Sequence, residues 1–579
     1  MHKTTINHMK KYLLENKANW LIFAFLVISI FLKCCMGHYY MRHGIMFASL
    51  WKAPLYFWSF YLPKLSIALV LASFCFLFRN KWWLIGLSLF VDFWIWANII
   101  YYRVYEGVID GYVLMMAGNL KGFTSSILSL VEWKDCLFFV LTALLALLIY
   151  WLRQRKERSF LTYISVFAFS CLFWAFTSNL NFYRYEVFAD HEPIQKIAPS
   201  VVFTKPFSQS TRLIVAGTAP FYDYSVLHMA FFALDDMYEM YLGAENKPII
   251  TEEELNILKS LQGAQYYTKN NKKLILILFE SLEDWVVQPE FMPNTYRLIN
   301  TEHSFVAHKL RKQTYSGSSA DGQMMANTGV LPIDRGAACF SYPFNKYPSL
   351  PKEHAVTLLP HPIDVWNQKC MSPAYGYDTT VVISEENAFK QTASFIQKGY
   401  DMIQIVTVAS HEPFGGGTSS LLKLPEDMPD MMAKYIKCVN VTDKYIGYMI
   451  DSLICYHLLD STTIFITGDH TIFHKERRDK FYIYCQKNNL NYGVEGAYCP
   501  LVVFSPFISH RTRCDEEAYQ MDVFPTIVEL LGYNDYHWKG FGVNLMDSIV
   551  RCNRPISEQE ASKLSDKLIR NNYFATIEK

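Results

Sequence analysis

The sequence has no charge of either sign to spare. Its 54 lysines and arginines stand against 53 aspartates and glutamates over 579 residues. That balance removes the basic excess on which phosphate-backbone binding depends, so nucleic acid is excluded as a partner. Internal repeats and low-complexity tracts are absent too, which sets aside solenoids and biased linkers. Of 13 cysteines, eight lie well beyond the first third: Cys339, Cys370, Cys438, Cys455, Cys485, Cys499, Cys514 and Cys552. None of these stands at CxxC spacing, which excludes a cysteine-built zinc site, and no local signature marks one as a catalytic thiol.

What the chain holds in excess is apolar surface. Hydrophobic residues make up 51% and aromatics 16%, and the surplus is concentrated in the first third. Five stretches there approach the roughly 17–25 residues that cross a bilayer: about Trp20–Met36, Leu62–Phe78, Trp82–Tyr101, Cys136–Leu152 and Phe160–Phe176. Lys64 and Asp135 mark the edges of the second and fourth. A cleaved leader would account for the first stretch alone, not for four more behind it. Charges inside the segments are sparse, where a transport pathway would place ionisable groups.

Basic residues set the orientation. Lys10, Lys11 and Lys17 precede the first stretch, Arg79 and Lys81 separate the second from the third, and Arg153, Arg155, Lys156 and Arg158 separate the fourth from the fifth. With those loops on the cytoplasmic side, five crossings put the N-terminus inside and everything after about Thr177 outside. An oxidising exterior permits disulfides among the eight cysteines, with pairings that spacing does not fix.

The division expected is a five-helix transmembrane domain over 1–177, a connector over 178–262, a catalytic domain over 263–550 and a C-terminal tail over 551–579. In the connector, ITEEELNILKSL (250–261) reads as a helix with acids in its first turn. From Asn271 on, apolar runs of strand length recur between helix-length segments: LILILF (274–279), TTVVIS (379–384), MIQIVTVAS (402–410), TIFITG (463–468) and LVVFS (501–505). Continuous rather than alternating Val/Ile/Leu predicts an α/β domain with a mostly parallel central sheet covered by helices on both faces. Residues 434–459 read as an amphipathic crossover helix and 522–533 as another.

In such sheets ligands bind beyond the carboxyl ends of the strands. There the sequence places Glu280 after LILILF, His411 after MIQIVTVAS, and Asp469-His470 after TIFITG. One acid or imidazole at a strand end is usually a cap; two carboxylates and two imidazoles delivered to one edge point to a divalent metal. Such oxygen-rich ligation suits manganese, zinc or magnesium. TYSGSSADGQMMANTGVLP (314–332) adds serines in a turn of small residues that opens a helix. A serine there sits in positive potential, which favours an alkoxide and a bound phosphate, although the same residues also serve as a plain helix cap.

With these residues in hand the chain resembles the lipoteichoic acid synthase family. Its members are membrane-anchored phosphoglycerol transferases with a sulfatase-like domain of the alkaline phosphatase superfamily, and phosphoethanolamine transferases share the plan. The likeness runs from the membrane helices to YQMDVFPTIVELLG (519–532). It implies that Glu280 in LFESLEDW, Ser319 in GSSAD, and Asp469 and His470 in ITGDH hold one divalent ion, manganese ahead of zinc or magnesium. Ser319, two residues before Asp321, takes the position of the family's threonine nucleophile; Ser318 is its neighbour. His411 in SHEPF, with Trp366 and Asn367 in VWNQ (365–368), falls at substrate-contacting positions, and His474 is a further candidate for that role. Gln368 stands where the family carries arginine, which removes a bidentate phosphate contact. KEHAVTLLPHPID (352–364) is short for the helix and strand expected there, so either the sheet lacks an element or the chain is shortened here relative to the family.

The implied enzyme resides in a bacterial plasma membrane as a multi-pass protein. It moves a phospholipid head group, through a covalent Ser319 ester, to an envelope glycan or glycolipid. A phosphodiesterase or phosphatase of the same fold, with water as acceptor, is the alternative enzyme, and a catalytically silent membrane scaffold the alternative of another class. Sulfatase chemistry is disfavoured: it needs Cys/Ser-x-Pro-x-Arg, and after Ser319 the chain reads Ala-Asp-Gly-Gln.

Overall fold

A computed structural model describes residues 17–41, 54–105, 108–117, 127–128, 130–152, 159–188, 247–264, 272–334, 336–350, 352–472, 475–490 and 497–577, with scattered positions between 227 and 237. The chain divides into two compact units, Met1–Leu114 with Leu130–Leu242 and Met115–Ser129 with Gly243–Lys579.

The first unit is helical: α1 (Lys17–Met41), α2 (Pro54–Leu77), α3 (Trp83–Tyr105), α4 (Leu137–Leu152) and α5 (Phe160–Phe188). Among the described residues four helices, not five, are long and apolar enough to cross a membrane: Lys17–His38, Trp83–Arg103, Trp133–Leu152 and Phe160–Thr177. The second expected span does form a helix, α2, whose described apolar part is Tyr61–Leu77, with Pro63 and Lys64 near its start. Two buried charges inside the bundle pair with each other. Lys33 on α1 and Asp92 on α3, both fully buried, lie 2.6 Å apart. The Lys33 ammonium also donates to Ser88 on α3 and Thr142 on α4, at 2.8 and 2.7 Å, and Thr142 donates to Asp92.

The second unit is built on one nine-stranded sheet. Its strands are β1 (Lys273–Phe279), β2 (Ser304–Arg311), β3 (Ala355–Leu359), β4 (Thr379–Val382), β5 (Met402–Val406), β6 (Thr462–Gly468), β7 (Cys499–Phe504), β8 (Thr512–Cys514) and β9 (Ala518–Tyr519). The order is β4-β3-β5-β1-β6-β7-β2-β8, with β9 also on β2. Every pairing is parallel except those of β7, which runs antiparallel to both β6 and β2. Like β6, β7 is wholly buried, so its unbroken apolar run fits either direction.

Two cores flank the sheet because successive side chains on a strand point to opposite faces. Leu274, Leu276 and Leu278 of β1 join one core, and Ile275, Ile277 and Phe279 the other. The first core is closed by α6 (Glu252–Ser260), α7 (Ser319–Thr328), α10 (Val523–Leu530) and α11 (Glu558–Asn571). The second is closed by α8 (Glu385–Gln397) and the long α9 (Asp430–Cys455). A reciprocal capping box between Thr251 and Glu254 starts α6, as its acidic first turn predicts. The segment expected to cost the sheet an element instead supplies β3, between β4 and β5. Residues 551–579 hold α11, whose Leu564 and Leu568 are buried in the first core.

Candidate active site

β1 and β6 pair with Phe279 opposite Gly468, so Glu280 and Asp469 leave the sheet side by side. Gly468 is required there: a Cβ would collide with the carbonyl of Leu282, which crosses the end of β6. Thr407 and Ser410, in the loop after β5, hold the Glu280 backbone. Its N–H donates to Thr407 Oγ1 at 2.8 Å, and its carbonyl accepts from Ser410 Oγ at 2.6 Å. Gln520 fixes the other turn by donating to the carbonyls of Gly468 and Asp469 at 3.1 and 2.8 Å. Ligand atoms of Glu280, Asp469 and His470, all buried, come within 4.8 Å of one another.

The His470 Nδ1 lies 2.9 Å from the Thr471 carbonyl, which can only accept. Nδ1 therefore carries the hydrogen, and the Nε2 lone pair faces the cluster, 3.4 Å from Glu280 Oε1 and 3.6 Å from Asp469 Oδ2. Burial, reinforced by the charge of Asp469, pushes the Glu280 carboxyl up to about 8. Among the described residues no lysine or arginine pairs with either carboxylate. Two buried acids and a correctly tautomerised imidazole with no cation among them are the donor set a divalent ion fits, and its charge would relieve their mutual repulsion.

Ser319 opens α7, at the positive end of the helix. The turn before it is held from inside, since Asp321 accepts from the N–H groups of Tyr315 and Gly317 at 2.9 and 3.1 Å. A Cβ on Gly317 would run into that carboxyl. Burial pushes Asp321 up to about 7. Ser319 Oγ lies 3.3 Å from Glu280 Oε2 and 3.2 Å from His470 Nε2. Ser318 Oγ, also buried, has no hydrogen-bond partner among the described residues.

His411 stands at the same sheet edge. Its Nδ1 donates to the Glu412 carbonyl at 2.7 Å, and burial lowers its pKa, so the neutral ring carries no hydrogen on Nε2. The sequence reading missed His361, just past the end of β3 and close enough to His411 for the two rings to disfavour each other's charge; burial again is the main cause of its lowered pKa. The signal was a histidine two residues beyond an apolar run, but AVTLL (355–359) was not recognised as a strand.

Trp366 and Asn367 both adopt left-handed backbone, at φ 50°. Asn367 donates its amide to the Cys339 carbonyl at 2.7 Å, which holds the loop in place, while Trp366 packs on Phe340. Gln368 is buried and donates to Gln323 Oε1 on α7 at 2.8 Å, a neutral pair at the position where the family carries arginine. His474 lies outside the described residues.

A mostly parallel sheet whose strand ends bring together an acid-imidazole cluster and a serine at a helix start is an α/β enzyme frame in which a hydroxyl stands beside a candidate metal site. The chain belongs to the sulfatase family, whose model matches residues 231–533. Residues 5–189 match the lipoteichoic acid synthase N-terminal domain, and the apolar helices of that region anchor the chain in a membrane. Lipoteichoic acid synthase of Staphylococcus saprophyticus is 22% identical over 84% of this chain and 78% of its own length. Lipoteichoic acid synthase 2 of Bacillus subtilis is 21% identical over 83% of this chain and 77% of its own. The lipooligosaccharide phosphoethanolamine transferase A of Neisseria meningitidis shares the fold, with a TM-score of 0.52 and 10% identity over 90% of this chain and 96% of that one.

Proposed function

We propose that the chain is a membrane-anchored, metal-dependent transferase that moves a phospholipid head group, phosphoglycerol or phosphoethanolamine, to an envelope glycan or glycolipid. The observation that carries this reading is Ser319 Oγ within 3.3 Å of Glu280 and 3.2 Å of His470, at the mouth of the acid-imidazole cluster. The curated relatives named lipoteichoic acid synthase support it across both the membrane and the catalytic regions. Glu280, Asp469, His470 and Ser319 would hold one divalent ion, manganese first among the candidates. When bound, such an ion lowers the pKa of the serine hydroxyl and neutralises charge on phosphoryl oxygens.

The transfer runs in two displacements. Ser319 Oγ gives up its proton and attacks the phosphorus of the lipid phosphodiester. The bond from phosphorus to the glycerol oxygen breaks, and diacylglycerol leaves with one proton. The acceptor hydroxyl then attacks the phosphoserine ester, loses its proton and frees Ser319, which regains one. No net proton is gained or lost. His411, neutral and with its Nε2 unprotonated, suits proton transfer to and from the entering and leaving oxygens, with His361 beside it. Trp366 and Asn367 shape the loop against which the head group lies. The basic loops support a cytoplasmic N-terminus and a catalytic domain outside, where a head group in the outer leaflet is within reach.

Intact-mass measurement after incubation with Mn2+ and mixed phospholipids tests the scheme. Wild-type protein is expected to gain an adduct whose mass identifies the head group, and Ser319→Ala to gain none. Head group released into water without an adduct would replace transfer by hydrolysis. Absence of metal, adduct and turnover would leave a silent scaffold.

A further inference from the structure

Glu280, Asp469 and His470 come from two strand ends, and their side chains meet only if the turn after β1 holds one shape. The centre of that turn is Ser281, a non-glycine residue at φ 53°. Its backbone N–H donates to Asp469 Oδ1 at 2.8 Å. Its hydroxyl donates to Glu280 Oε1 at 2.8 Å. A single residue thus orients both carboxylates of the cluster. Because Asp469 Oδ1 also accepts from the His470 N–H at 2.8 Å, it is the other oxygen, Oδ2, that faces the His470 ring.

Ser281 is held in turn from a distant part of the chain. Its carbonyl accepts the hydroxyl of Tyr435 at 2.8 Å, and the Tyr435 oxygen accepts the N–H of Glu283 at 3.1 Å. One phenol therefore closes both sides of the left-handed turn. Tyr435 lies on α9, and its fully buried ring packs against Trp285, Phe414 and Phe481. Phe414 is three residues beyond His411, so the same ring also braces the loop that carries that histidine.

We infer that Tyr435 and Ser281 form a positioning unit for the metal centre: Tyr435 fixes the left-handed turn, and Ser281 aims Glu280 and Asp469 at the ion. Neither residue touches the reacting atoms in this role. Loss of the Tyr435 hydroxyl leaves the Ser281 carbonyl and the Glu283 N–H without their partner in a buried turn, and the two carboxylates lose their shared guide. The ring contacts survive in Tyr435→Phe, so the core stays filled. The inference rests on reading Glu280, Asp469 and His470 as a metal centre.

The test is calorimetric titration of Mn2+ into chelator-stripped full-length protein in detergent, with the melting temperature of the metal-free form measured beside it. Tyr435→Phe is expected to weaken Mn2+ binding by about 10- to 100-fold, as partners behind metal ligands typically do. Because two buried backbone groups lose their partner, its metal-free melting temperature should fall modestly; what a merely structural role would not give is the same weakening of Mn2+ binding in Ser281→Ala, whose turn keeps both Tyr435 bonds. Ser281→Ala, which removes the bond to Glu280 and a longer contact to His470 Nδ1 at 3.5 Å while keeping the backbone bonds of the turn, should move affinity in the same direction and serves alone where Tyr435→Phe does not fold. Asp469→Ala, a ligand control, should bind no Mn2+. Wild-type affinity in both Tyr435→Phe and Ser281→Ala, with Asp469→Ala dead, would overturn the positioning unit and leave the metal centre standing. Equal Mn2+ binding by wild type and Asp469→Ala, or none by either, would overturn both.

Discussion

Ser318 and Ser319 are chemically identical neighbours, and their surroundings separate them. Ser319 Oγ reaches Glu280 and His470, whereas Ser318 takes the strained backbone of the turn, φ 46°, and its hydroxyl meets no partner among the described residues. Ser319→Ala should lower head-group release by at least about a thousandfold, the scale on which removal of a nucleophile acts. Ser318→Ala should leave turnover within a few-fold of wild type. Equal losses in assays of released diacylglycerol would refute the assignment. Glu283, three residues from Glu280, permits a prediction about pH. It is fully buried, and although Trp285 Nε1 and the Ile472 N–H donate to it, burial pushes it up to about 7. A carboxyl with a raised pKa binds its proton more tightly in the folded state, so its contribution to stability is complete in acid and is lost as pH rises towards 7. For this group the loss is about 3 kcal/mol. Melting curves of Glu283→Gln between pH 5 and 8 should therefore be flatter than those of wild type; parallel curves would show that Glu283 does not titrate in that range.

At the scale of elements, the sheet edge was legible because three facts coincide in the sequence: a run too apolar to be exposed, its abrupt end, and a metal-loving side chain next. β1 and β6 meet all three conditions, as does the run 402–410 although β5 itself ends at Val406, and Glu280, His411, Asp469 and His470 were found that way. β2 was missed because SFVAHKLR breaks its apolar run with His308 and Lys309 towards the sheet margin, and β3 because five residues between charged and proline-rich flanks make a weak pattern. The direction of β7 was not legible at all, since a strand buried on both faces carries the same run whichever way it points. Tyr435 and Gln520 were invisible for a different reason: their partners are backbone groups far away in sequence, which no local pattern encodes. The membrane helices show the same limit. Lys33 and Asp92 are sparse charges in a sequence, but across α1 and α3 they are a sealed ion pair. Removing one partner strands the other in an apolar bundle, at a cost of about 3–5 kcal/mol. Lys33→Met and Asp92→Asn should each lower the melting temperature in detergent, and Lys33→Met/Asp92→Leu should lose less than the sum of the two. Additive losses would mean that the charges do not stabilise the bundle as a pair.

For the whole molecule the open choice is which side of the membrane holds the chemistry, and the cysteines make it measurable. Every described cysteine of the sheet unit is a free thiol, and most are buried: Cys339, Cys438, Cys485, Cys499 and Cys514 lie inside, whereas Cys455, at the end of α9, is exposed. Burial raises the pKa of each of those five buried thiols, which keeps them protonated and slow towards electrophiles. Among the described thiols of this unit Cys455 is therefore the one most open to a maleimide that cannot cross a bilayer. If the basic loops face the cytoplasm, Cys455 is outside, and intact cells treated with such a reagent should yield the modified peptide, which Cys455→Ser abolishes. Labelling that appears only after the membrane is permeabilised would place the catalytic domain inside. Ser319 would then face the cytoplasmic leaflet, and an envelope acceptor could not reach the phosphoserine ester. Four qualifying spans make this experiment decisive, because the apolar stretch of α2 must cross for the basic-loop topology to hold. Labelling from outside would thus establish the side on which transfer occurs and, with the N-terminus in the cytoplasm, would require α2 as a fifth crossing.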